Sequence, residues 1–367
     1  MADLICPYCW ERTQEKQLLR QCGERCAVGE NGQDEFYPAV TKTCPHGKPA
    51  SGNRYCPNCH SMVQYEYITT KGRIVAMIGS RESGKTTYVG VLIQELQNRV
   101  GSAFNGATAE LVGDKSRERY KRVFHDPMYL KGQTVDFTNT VRAQSRLDPL
   151  LCMLKFPKKK LIGGGLATAM MVFYDTAGED VLVDENIDRL VDYFDAAEAI
   201  IFIVDPLQIS SVRRVVNGSV PLPHSAADQV EIVQRLAELL RKRRKMTGSQ
   251  KISTPMAIAI AKTDTLDESL PVNSAVRRQG VHDGVYDEAD GQYIHDEIRA
   301  TLSSWADGEA LINTVANNFA TYRFFGMSAL GVTPPDSQHV SSSGIHPLRV
   351  EDPLEAPQRH DARACLA

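Results

Sequence analysis

Apolar residues in this chain form short uninterrupted runs that alternate with stretches of helical period. The short runs predict buried strands, and they lie at 73–78, 150–156, 169–174, 198–204, 255–261 and 322–327. Apolar positions three or four residues apart predict two long helices, one through Val89, Leu92, Ile93, Leu96 and Val100 and the other through Val230, Val233, Leu236 and Leu240. Strands that alternate with helices predict an α/β fold with a mainly parallel sheet.

The two ends of the chain lack this alternation. Residues 1–66 hold too few apolar residues for a core of their own, and residues 336–367 are rich in Pro, Ser and His without a sustained apolar period. The first segment needs metal ions in order to fold, and the second predicts a poorly structured tail. We therefore expect a small N-terminal domain at 1–66, an α/β domain at 72–335 and a tail at 336–367.

Composition narrows the class of protein without indicating a function. The 367 residues are 42% hydrophobic and 24% charged, with a formal net charge of -3. These values are ordinary for a globular cytoplasmic protein and give no general attraction to nucleic acid or to a membrane. The N-terminus has no secretory signal pattern, and the most apolar stretch, 161–174, is too short to span a bilayer. Basic runs at 158–160 and 241–245 are interpreted as solvated surface.

Seven of the nine cysteines lie within the first 59 residues. With one histidine they form four two-ligand elements and predict two zinc sites, whose ligands are Cys6, Cys9, Cys22, Cys26, Cys44, His46, Cys56 and Cys59. The spacing leaves the pairing open: the elements can close in sequential order or cross over, with the first joining the third, and His60 can substitute for His46. Closed four-ligand sites leave no position for substrate, so we expect this zinc head to be structural and to dock a partner.

The sequence GSRESGKT follows the strand at 73–78 and opens the first long helix, which is the context that the phosphate-binding motif GxxxxGK[ST] requires. Its backbone amides and the helix N-terminus are expected to surround phosphate oxygens. Lys85 is expected to reach the outer phosphates, and the Thr86 hydroxyl to bind Mg²⁺. The nucleotide-binding residues predicted in this P-loop are Gly79, Ser80, Arg81, Glu82, Ser83, Gly84, Lys85, Thr86 and Thr87.

The sequence DTAG at 175–178 follows another predicted strand. The Asp175 carboxylate is expected behind the magnesium ion and the Gly178 amide against the γ-phosphate, so that loss of this phosphate releases the loop. A threonine between the first helix and the strand at 150–156 is expected to bind magnesium as well. Thr138 and Thr140 rank ahead of Thr134 for this position.

Two later strands end in residues suited to a guanine base. The sequence KTD at 262–264 follows the strand at 255–261. The Asp264 carboxylate can accept the N1–H and N2–H donors of guanine as a pair, whereas adenine presents an acceptor at N1. Lys262 is expected to lie along the base and the P-loop with its aliphatic stem. After the strand at 322–327, a backbone amide is expected to meet the guanine oxygen within Ser328, Ala329 and Leu330.

Through GSRESGKT, DTAG, KTD and SAL, residues 72–331 resemble the Ras-like, translation-factor (TRAFAC) class of P-loop GTPases. Within that class, the CPNCH element before the P-loop and RFFGMSALG near the end resemble the bacterial double-GTPase group. The resemblance implies a switch that binds GTP and GDP with Mg²⁺ and hydrolyses GTP. It also implies a companion GTPase or another protein effector as partner.

One residue departs from this resemblance. Glu179 follows Gly178, where many Ras-like enzymes have a glutamine that orients the attacking water. A carboxylate cannot donate to the γ-phosphate, and its charge opposes the phosphate charge. We therefore expect GTP hydrolysis that is slow or depends on a partner's arginine, with a catalytic set of Lys85, Thr86, Asp175, Gly178 and Glu179.

Three alternatives stay open on the sequence alone. Glu179 is compatible with a nucleotide-dependent binding module that has little or no hydrolysis. A KTD sequence that arose by chance would leave an ATPase. A nucleic-acid-binding zinc protein regulated by GTP would require the zinc head and a basic run to share one face.

Overall fold

The fold is a seven-stranded sheet with helices on both faces and an N-terminal head of short antiparallel strands. The predicted α/β fold with a mainly parallel sheet is therefore confirmed. The structure is a computed structural model, and it describes residues 4–22, 35–49, 51–70, 72–99, 108–135, 149–158, 165–173, 187–216, 220–224, 228–267, 269–280 and 286–355.

The head contains two small sheets. Two of its strands pair antiparallel, β1 (Leu4–Ile5) and β2 (Arg12–Thr13). The others form a four-stranded sheet in the order β4-β3-β5-β6, and their bounds are β3 (Leu19–Gln21), β4 (Phe36–Pro38), β5 (Arg54–Tyr55) and β6 (Met62–Val63). Strands this short bury little apolar surface, so they need further support from the two clusters of cysteine side chains described below.

The large sheet has the strand order β13-β12-β11-β7-β10-β9-β8. Its strands are β7 (Arg73–Gly79), β8 (Thr108–Leu111), β9 (Leu150–Lys158), β10 (Gly165–Phe173), β11 (Ala199–Val204), β12 (Met256–Ile260) and β13 (Tyr322–Gly326). The five strands from β13 to β10 are parallel, whereas β9 and β8 run antiparallel to their neighbours. The carboxyl ends of β7, β11, β12 and β13 therefore meet at one edge.

Helices cover both faces of this sheet. The α-helices are α1 (Tyr65–Thr70), α2 (Lys85–Asn98), α3 (Asp114–Arg119), α4 (Ile187–Ala196), α5 (Ser210–Arg213), α6 (Gln229–Arg243), α7 (Glu288–Ser303) and α8 (Gly308–Asn318). A π-helix, Tyr120–Leu130, continues α3, and short 3₁₀-helices lie at Glu15–Gln17, Pro206–Gln208, Thr263–Leu266, Ala275–Arg277 and Asp352–Glu355. Asp228 and Asp287 start α6 and α7 by accepting hydrogen bonds from first-turn amides.

Consecutive residues of the central strand β7 pack into two different cores. Ile74 and Ala76 belong to a core shared with α6 and the zinc head, while Val75 and Met77 belong to a core shared with α2. Burial on both faces explains why the strand reads as an uninterrupted apolar run in the sequence. Among the described residues, no helix has the length and apolarity to cross a membrane.

The zinc head packs directly on the α/β domain. Its connection to β7 includes α1, in which the Tyr67 side chain is fully buried and its hydroxyl donates to the Ile5 carbonyl oxygen at 2.6 Å. Burial raises the Tyr67 pKa, which keeps this hydroxyl protonated. The Trp10 ring lies 5.5 Å from the ring of Tyr193 in α4. The head and the sheet therefore share one continuous core.

The C-terminal segment differs from the expected poorly structured tail at 336–367, because residues 336–355 pack on the α/β domain. Arg349 is 1% exposed and donates to Asp290 at 2.7 Å and to Asp352 at 2.8 Å. Glu351, also buried, accepts from Arg99, the residue that follows α2, at 2.6 Å. Charged pairs hold this segment, which explains why an apolar period did not predict it. Residues 356–367 lie outside the described part of the chain.

We expect Tyr67→Phe to lower the free energy of unfolding by about 1–2 kcal/mol, because it removes a buried hydrogen bond between α1 and the zinc head. Tyr65→Phe is a matched control, since Tyr65 lies in the same helix and is 73% exposed, and it should stay within about 0.5 kcal/mol of the wild type. Urea unfolding in the presence of zinc measures both. Equal effects of the two substitutions would contradict the inferred role of the Tyr67 hydroxyl.

Candidate functional site

The P-loop lies at the carboxyl end of β7 and leads into α2. A Cβ atom at Gly79 would lie 2.5 Å from the Ile203 carbonyl oxygen of β11, so the close approach of these two strands requires glycine here. Gly84 has φ 88, a left-handed conformation that favours glycine at the start of α2. Glycine is therefore favoured at both positions for different reasons: the close approach of β11 at Gly79 and the left-handed backbone at Gly84.

Lys85 points back into the loop that precedes it. Its ammonium group donates to the carbonyl oxygens of Gly79 at 2.9 Å and Ser80 at 2.7 Å, and to the Ser83 hydroxyl at 3.4 Å. The side chain is buried, so its charge lies in the concave part of the loop. Arg81 and Glu82 are exposed, whereas Thr86 and Thr87 are half-buried in the first turn of α2. A cation inside a helix N-terminal loop suits a phosphate group.

Residues that the sequence analysis missed hold the P-loop from the side. The Gln208 amide donates to the Arg81 carbonyl oxygen at 2.6 Å. The Gln229 amide donates to Gln208 at 3.1 Å and reaches the Ser80 hydroxyl at 3.5 Å. Neither glutamine belongs to a motif: Gln208 lies in the 3₁₀-helix Pro206–Gln208, and Gln229 is the first residue of α6.

Lys262 joins the loop after β12 to the P-loop. Its ammonium group lies 2.6 Å from the Asp205 carboxylate and 3.2 Å from the Glu82 carbonyl oxygen, and a Cβ atom at Gly84 would lie 3.9 Å from Lys262 Cε. Asp205 is fully buried at the end of β11. No sequence motif marks Asp205, although a polar residue directly after a buried strand at this edge is a usable signal for a site residue.

Asp264 lies beside Ser328, so the structure brings the KTD and SAL segments together. The Ser328 hydroxyl donates to Asp264 Oδ1, and the Thr333 hydroxyl donates to Asp264 Oδ2 at 3.0 Å. Ala329 and Leu330 follow Ser328 and pack at the margin of the core that contains α2. Four parallel strands therefore deliver the P-loop, Asp205, the KTD segment and the SAL segment to one edge of the sheet.

Several predicted residues lie outside the described part of the chain: Asp175, Gly178, Glu179, Thr138, Thr140 and Cys26. Their roles stay predictions. Thr134, which ranked third among the magnesium candidates, is described: its amide donates to the Gln338 carbonyl oxygen at 2.9 Å, and its hydroxyl donates to that of Ser337 at 2.6 Å. Thr134 is thus bound to the C-terminal segment.

Two CxxC turns in the head are built alike. Trp10 and His60, which follow the second cysteine of each turn, both have left-handed backbones, with φ 61 and φ 55. The Trp10 amide donates to the Cys6 carbonyl oxygen at 2.9 Å, and the His60 amide to that of Cys56 at 3.1 Å. The His60 ring stacks on Phe36 at 4.5 Å, outside both groups of candidate zinc ligands.

The sulfur atoms of these turns converge, in a group formed by Cys6, Cys9, Cys56 and Cys59. Cys6 Sγ lies 3.7 Å from Cys59 Sγ, and Cys9 Sγ lies 3.7 Å from Cys56 Sγ. Four sulfurs around zinc, with bonds of about 2.3 Å, would be separated by about 3.8 Å. The donor set and its spacing therefore fit a tetrahedral zinc ion.

A second group contains Cys22, Cys44 and His46. His46 Nδ1 lies 3.6 Å from Cys22 Sγ, while its Nε2 lies 3.4 Å from a Glu35 carboxylate oxygen. A carboxylate on the far nitrogen of a histidine is the usual support for a metal-binding imidazole. The predicted fourth ligand, Cys26, lies outside the described residues.

The order of pairing differs from both alternatives considered in the sequence analysis. The first two-ligand element joins the fourth, and the second element faces the third. The pairing of the described ligands is therefore nested rather than sequential or crossed, because the antiparallel strands β3 and β4 lie between the two CxxC turns in the chain. Cys152 belongs to neither group of candidate zinc ligands. Its side chain in β9 is fully buried, and this burial raises its pKa to about 12.

A protein family and a curated relative match this chain in sequence. The family described as Double-GTPase 2 matches residues 73–332. The putative ESX-1 scaffolding and assembly protein SaeC of Mycolicibacterium smegmatis (strain ATCC 700084 / mc(2)155) is 26% identical over 337 residues, which cover 86% of this chain and 82% of that protein.

Among solved structures, the signal recognition particle receptor SRb-GTP/SRX complex from Chaetomium thermophilum is similar at 12% identity and a TM-score of 0.30, covering 71% of this chain and 93% of that one. The bacterial selenocysteine-specific elongation factor EF-Sec is similar at 13% identity and a TM-score of 0.25, covering 71% and 26%. The family match includes the P-loop, the KTD segment and the SAL segment. The chain belongs to the Double-GTPase 2 family.

Proposed function

We propose that this protein binds GTP and Mg²⁺ at the carboxyl edge of its large sheet and hydrolyses GTP to GDP, acting as a molecular switch. The observation that carries the proposal is the contact of Lys262 with the P-loop, together with the Asp264 carboxylate two residues later, which is bonded to Ser328. A phosphate-binding loop by itself serves many nucleotides. A fixed carboxylate beside it favours guanine, because guanine presents two adjacent N–H donors.

Base recognition is assigned to the loop after β12. The Asp264 carboxylate is half-buried and would accept N1–H and N2–H of guanine. Lys262 extends across the P-loop toward Glu82 and Gly84, so its stem would cover the base. A site built on required hydrogen bonds rejects a ligand that lacks them, since its polar groups are then left unpaired.

Phosphate binding is assigned to the amides of residues 79–86 and to Lys85. The contacts of Lys85 with the Gly79 and Ser80 carbonyl oxygens set its ammonium group at the centre of the loop. Thr86, Asp175 and either Thr138 or Thr140 would hold Mg²⁺. Bound there, the ion would offset negative charge on the β- and γ-phosphates. Loss of the γ-phosphate would release the segment around Gly178.

The hydrolysis step rests on residues outside the described part of the chain, whereas nucleotide binding rests on described ones. Glu179 has the position of a water-orienting residue but carries a charge that opposes the phosphates. We infer slow intrinsic turnover that a partner's arginine accelerates. Glu179 also favours a second candidate function, a nucleotide-dependent binding module with little or no hydrolysis.

We propose protein partners and a cytoplasmic location. The relative from Mycolicibacterium smegmatis carries the name of a putative scaffolding and assembly protein, and a companion GTPase or another effector fits a switch of this family. Clusters of reduced cysteines that bind zinc are typical of a reducing compartment. The zinc head packs beside α4, which follows the DTAG segment in the chain, so it offers a surface for docking a partner.

We expect the wild type to bind GTP and GDP at least about a hundredfold more tightly than ATP in the presence of Mg²⁺. Asp264→Asn should remove this preference and favour xanthine nucleotides, because an amide can donate to the xanthine O2. Asp267→Asn, an exposed carboxylate in the same loop, is the control and should leave the preference unchanged. Titration of each protein with GTP, GDP, ATP and a xanthine nucleotide measures the preference. Equal binding of ATP by the wild type would favour the ATPase alternative.

We expect Glu179→Gln to accelerate single-turnover GTP hydrolysis about tenfold, because it removes a repelling charge and adds a donor toward the γ-phosphate. Asp180→Asn removes the neighbouring charge without supplying that donor, and it should have little effect. Phosphate release from preloaded protein measures the rate. If neither the wild type nor Glu179→Gln releases phosphate, the binding-module alternative is favoured.

We expect the purified protein to contain two zinc ions per chain. Cys56→Ser should retain only the zinc of the second group, and Cys44→Ser only the zinc of the first, because three remaining ligands bind zinc much more weakly than four. Cys365→Ser is the control, since no zinc role is predicted for that residue. Elemental analysis of the folded protein gives the stoichiometry. Two zinc ions retained in Cys56→Ser would contradict the first site.

A further inference from the structure

The carboxylate of Asp264 accepts hydrogen bonds from both sides. Ser328 donates to Oδ1, and Ser328 belongs to the SAL sequence that the base-binding prediction already included. Thr333 donates to Oδ2 at 3.0 Å and lies beyond every motif found in the sequence. An ionised carboxylate only accepts, so both hydroxyl groups must donate.

The number of remaining acceptor positions matches a guanine edge. A carboxylate offers about four lone-pair directions, two on each oxygen. Ser328 takes one on Oδ1 and Thr333 takes one on Oδ2, which leaves one on each oxygen. Guanine presents N1–H and N2–H side by side, so one free direction on each oxygen is what a paired contact needs. The two hydroxyl groups also fix the rotation of the carboxylate about its Cβ–Cγ bond.

The turn that leads to Thr333 is held by the C-terminal segment. The Gly331 amide donates to the Ser328 hydroxyl at 2.8 Å, and Gly331 has φ 75. A Cβ atom there would lie 1.7 Å from the His346 carbonyl oxygen, so residues 328–331 turn tightly against this segment. Ser328 and Leu348 exchange backbone hydrogen bonds of 3.1 and 2.8 Å.

Arg349, which follows Leu348, fixes the C-terminal segment to the α/β domain. Arg349 is buried and bonds to Asp290 and Asp352. The turn that leads to Thr333 is therefore connected through this segment to α7 and to the 3₁₀-helix Asp352–Glu355. A threonine held on a fixed turn can orient a neighbouring carboxylate, whereas one on a free tail could not.

We propose that Thr333 is a positioning residue for guanine recognition, which fixes the Asp264 carboxylate in the orientation that accepts both N1–H and N2–H. The inference rests on the proposed function, because it assigns guanine to Asp264. Through Thr333, the C-terminal segment would contribute to the base specificity of the nucleotide site. The expected consequence is selectivity for the 2-amino group, since a rotated carboxylate accepts one donor rather than two.

The test compares GDP with IDP, which lacks the 2-amino group, and with ADP. We expect Thr333→Val, which keeps the shape and removes the hydroxyl, to weaken GDP binding about tenfold and IDP binding about twofold. The GDP-to-IDP affinity ratio would thus fall about fivefold. ADP binding should not change. Thr333→Ser keeps a hydroxyl and should restore the ratio, while Thr247→Val, on an exposed loop before β12, should leave all three affinities unchanged.

The outcomes separate the positioning role of Thr333 from the proposed guanine site. A GDP-to-IDP ratio that Thr333→Val leaves at the wild-type value would overturn the positioning role. Equal weakening of GDP, IDP and ADP, with a lower melting temperature, would also overturn it, because a loosened turn affects every nucleotide alike. A wild-type protein that binds ADP as tightly as GDP would instead refute the proposed guanine site, and with it the role of Thr333.

Discussion

The buried carboxylate of Asp205 requires a cation, because an unpaired charge in a protein interior is costly. Lys262 supplies it at 2.6 Å, and the same ammonium group donates to the Glu82 carbonyl oxygen of the P-loop. The ion pair thus joins the ends of β11 and β12 to the loop after β7. Lys262 has a left-handed backbone, with φ 51, so this contact also sets the course of the loop that carries Asp264.

A second constraint comes from the shared core of the zinc head and the sheet. The Tyr193 hydroxyl lies within hydrogen-bond distance of the Met77 amide and the Val75 carbonyl oxygen of β7, at 3.3 and 3.4 Å. The same side chain lies against Trp10, whose left-handed backbone closes the first CxxC turn. One buried tyrosine therefore contacts both the strand that precedes the P-loop and the tryptophan that follows the first CxxC turn.

The C-terminal segment completes the nucleotide edge from outside the motifs. Its amides and carbonyl oxygens pair with Gly132–Thr134 on one side and with Ser328 on the other. Its charged side chains are buried against α2 and α7. Sequence reasoning expected a poorly structured tail from residue 336, because periodicity detects apolar faces and this segment is held by ion pairs. The same limitation hid Gln208, Gln229 and Asp205.

The sequence by itself determined the α/β class, the six apolar strands, the P-loop and the residues suited to guanine, because each depends on a local pattern or on chemistry within a few positions. It also identified the cysteine elements, though not their nested pairing. Only the tertiary structure decided which elements meet: the ion pair of Asp205 with Lys262, the clamp of Ser328 and Thr333 on Asp264, and Tyr67 on the zinc head. Such contacts join residues far apart in the chain, and no local period encodes them.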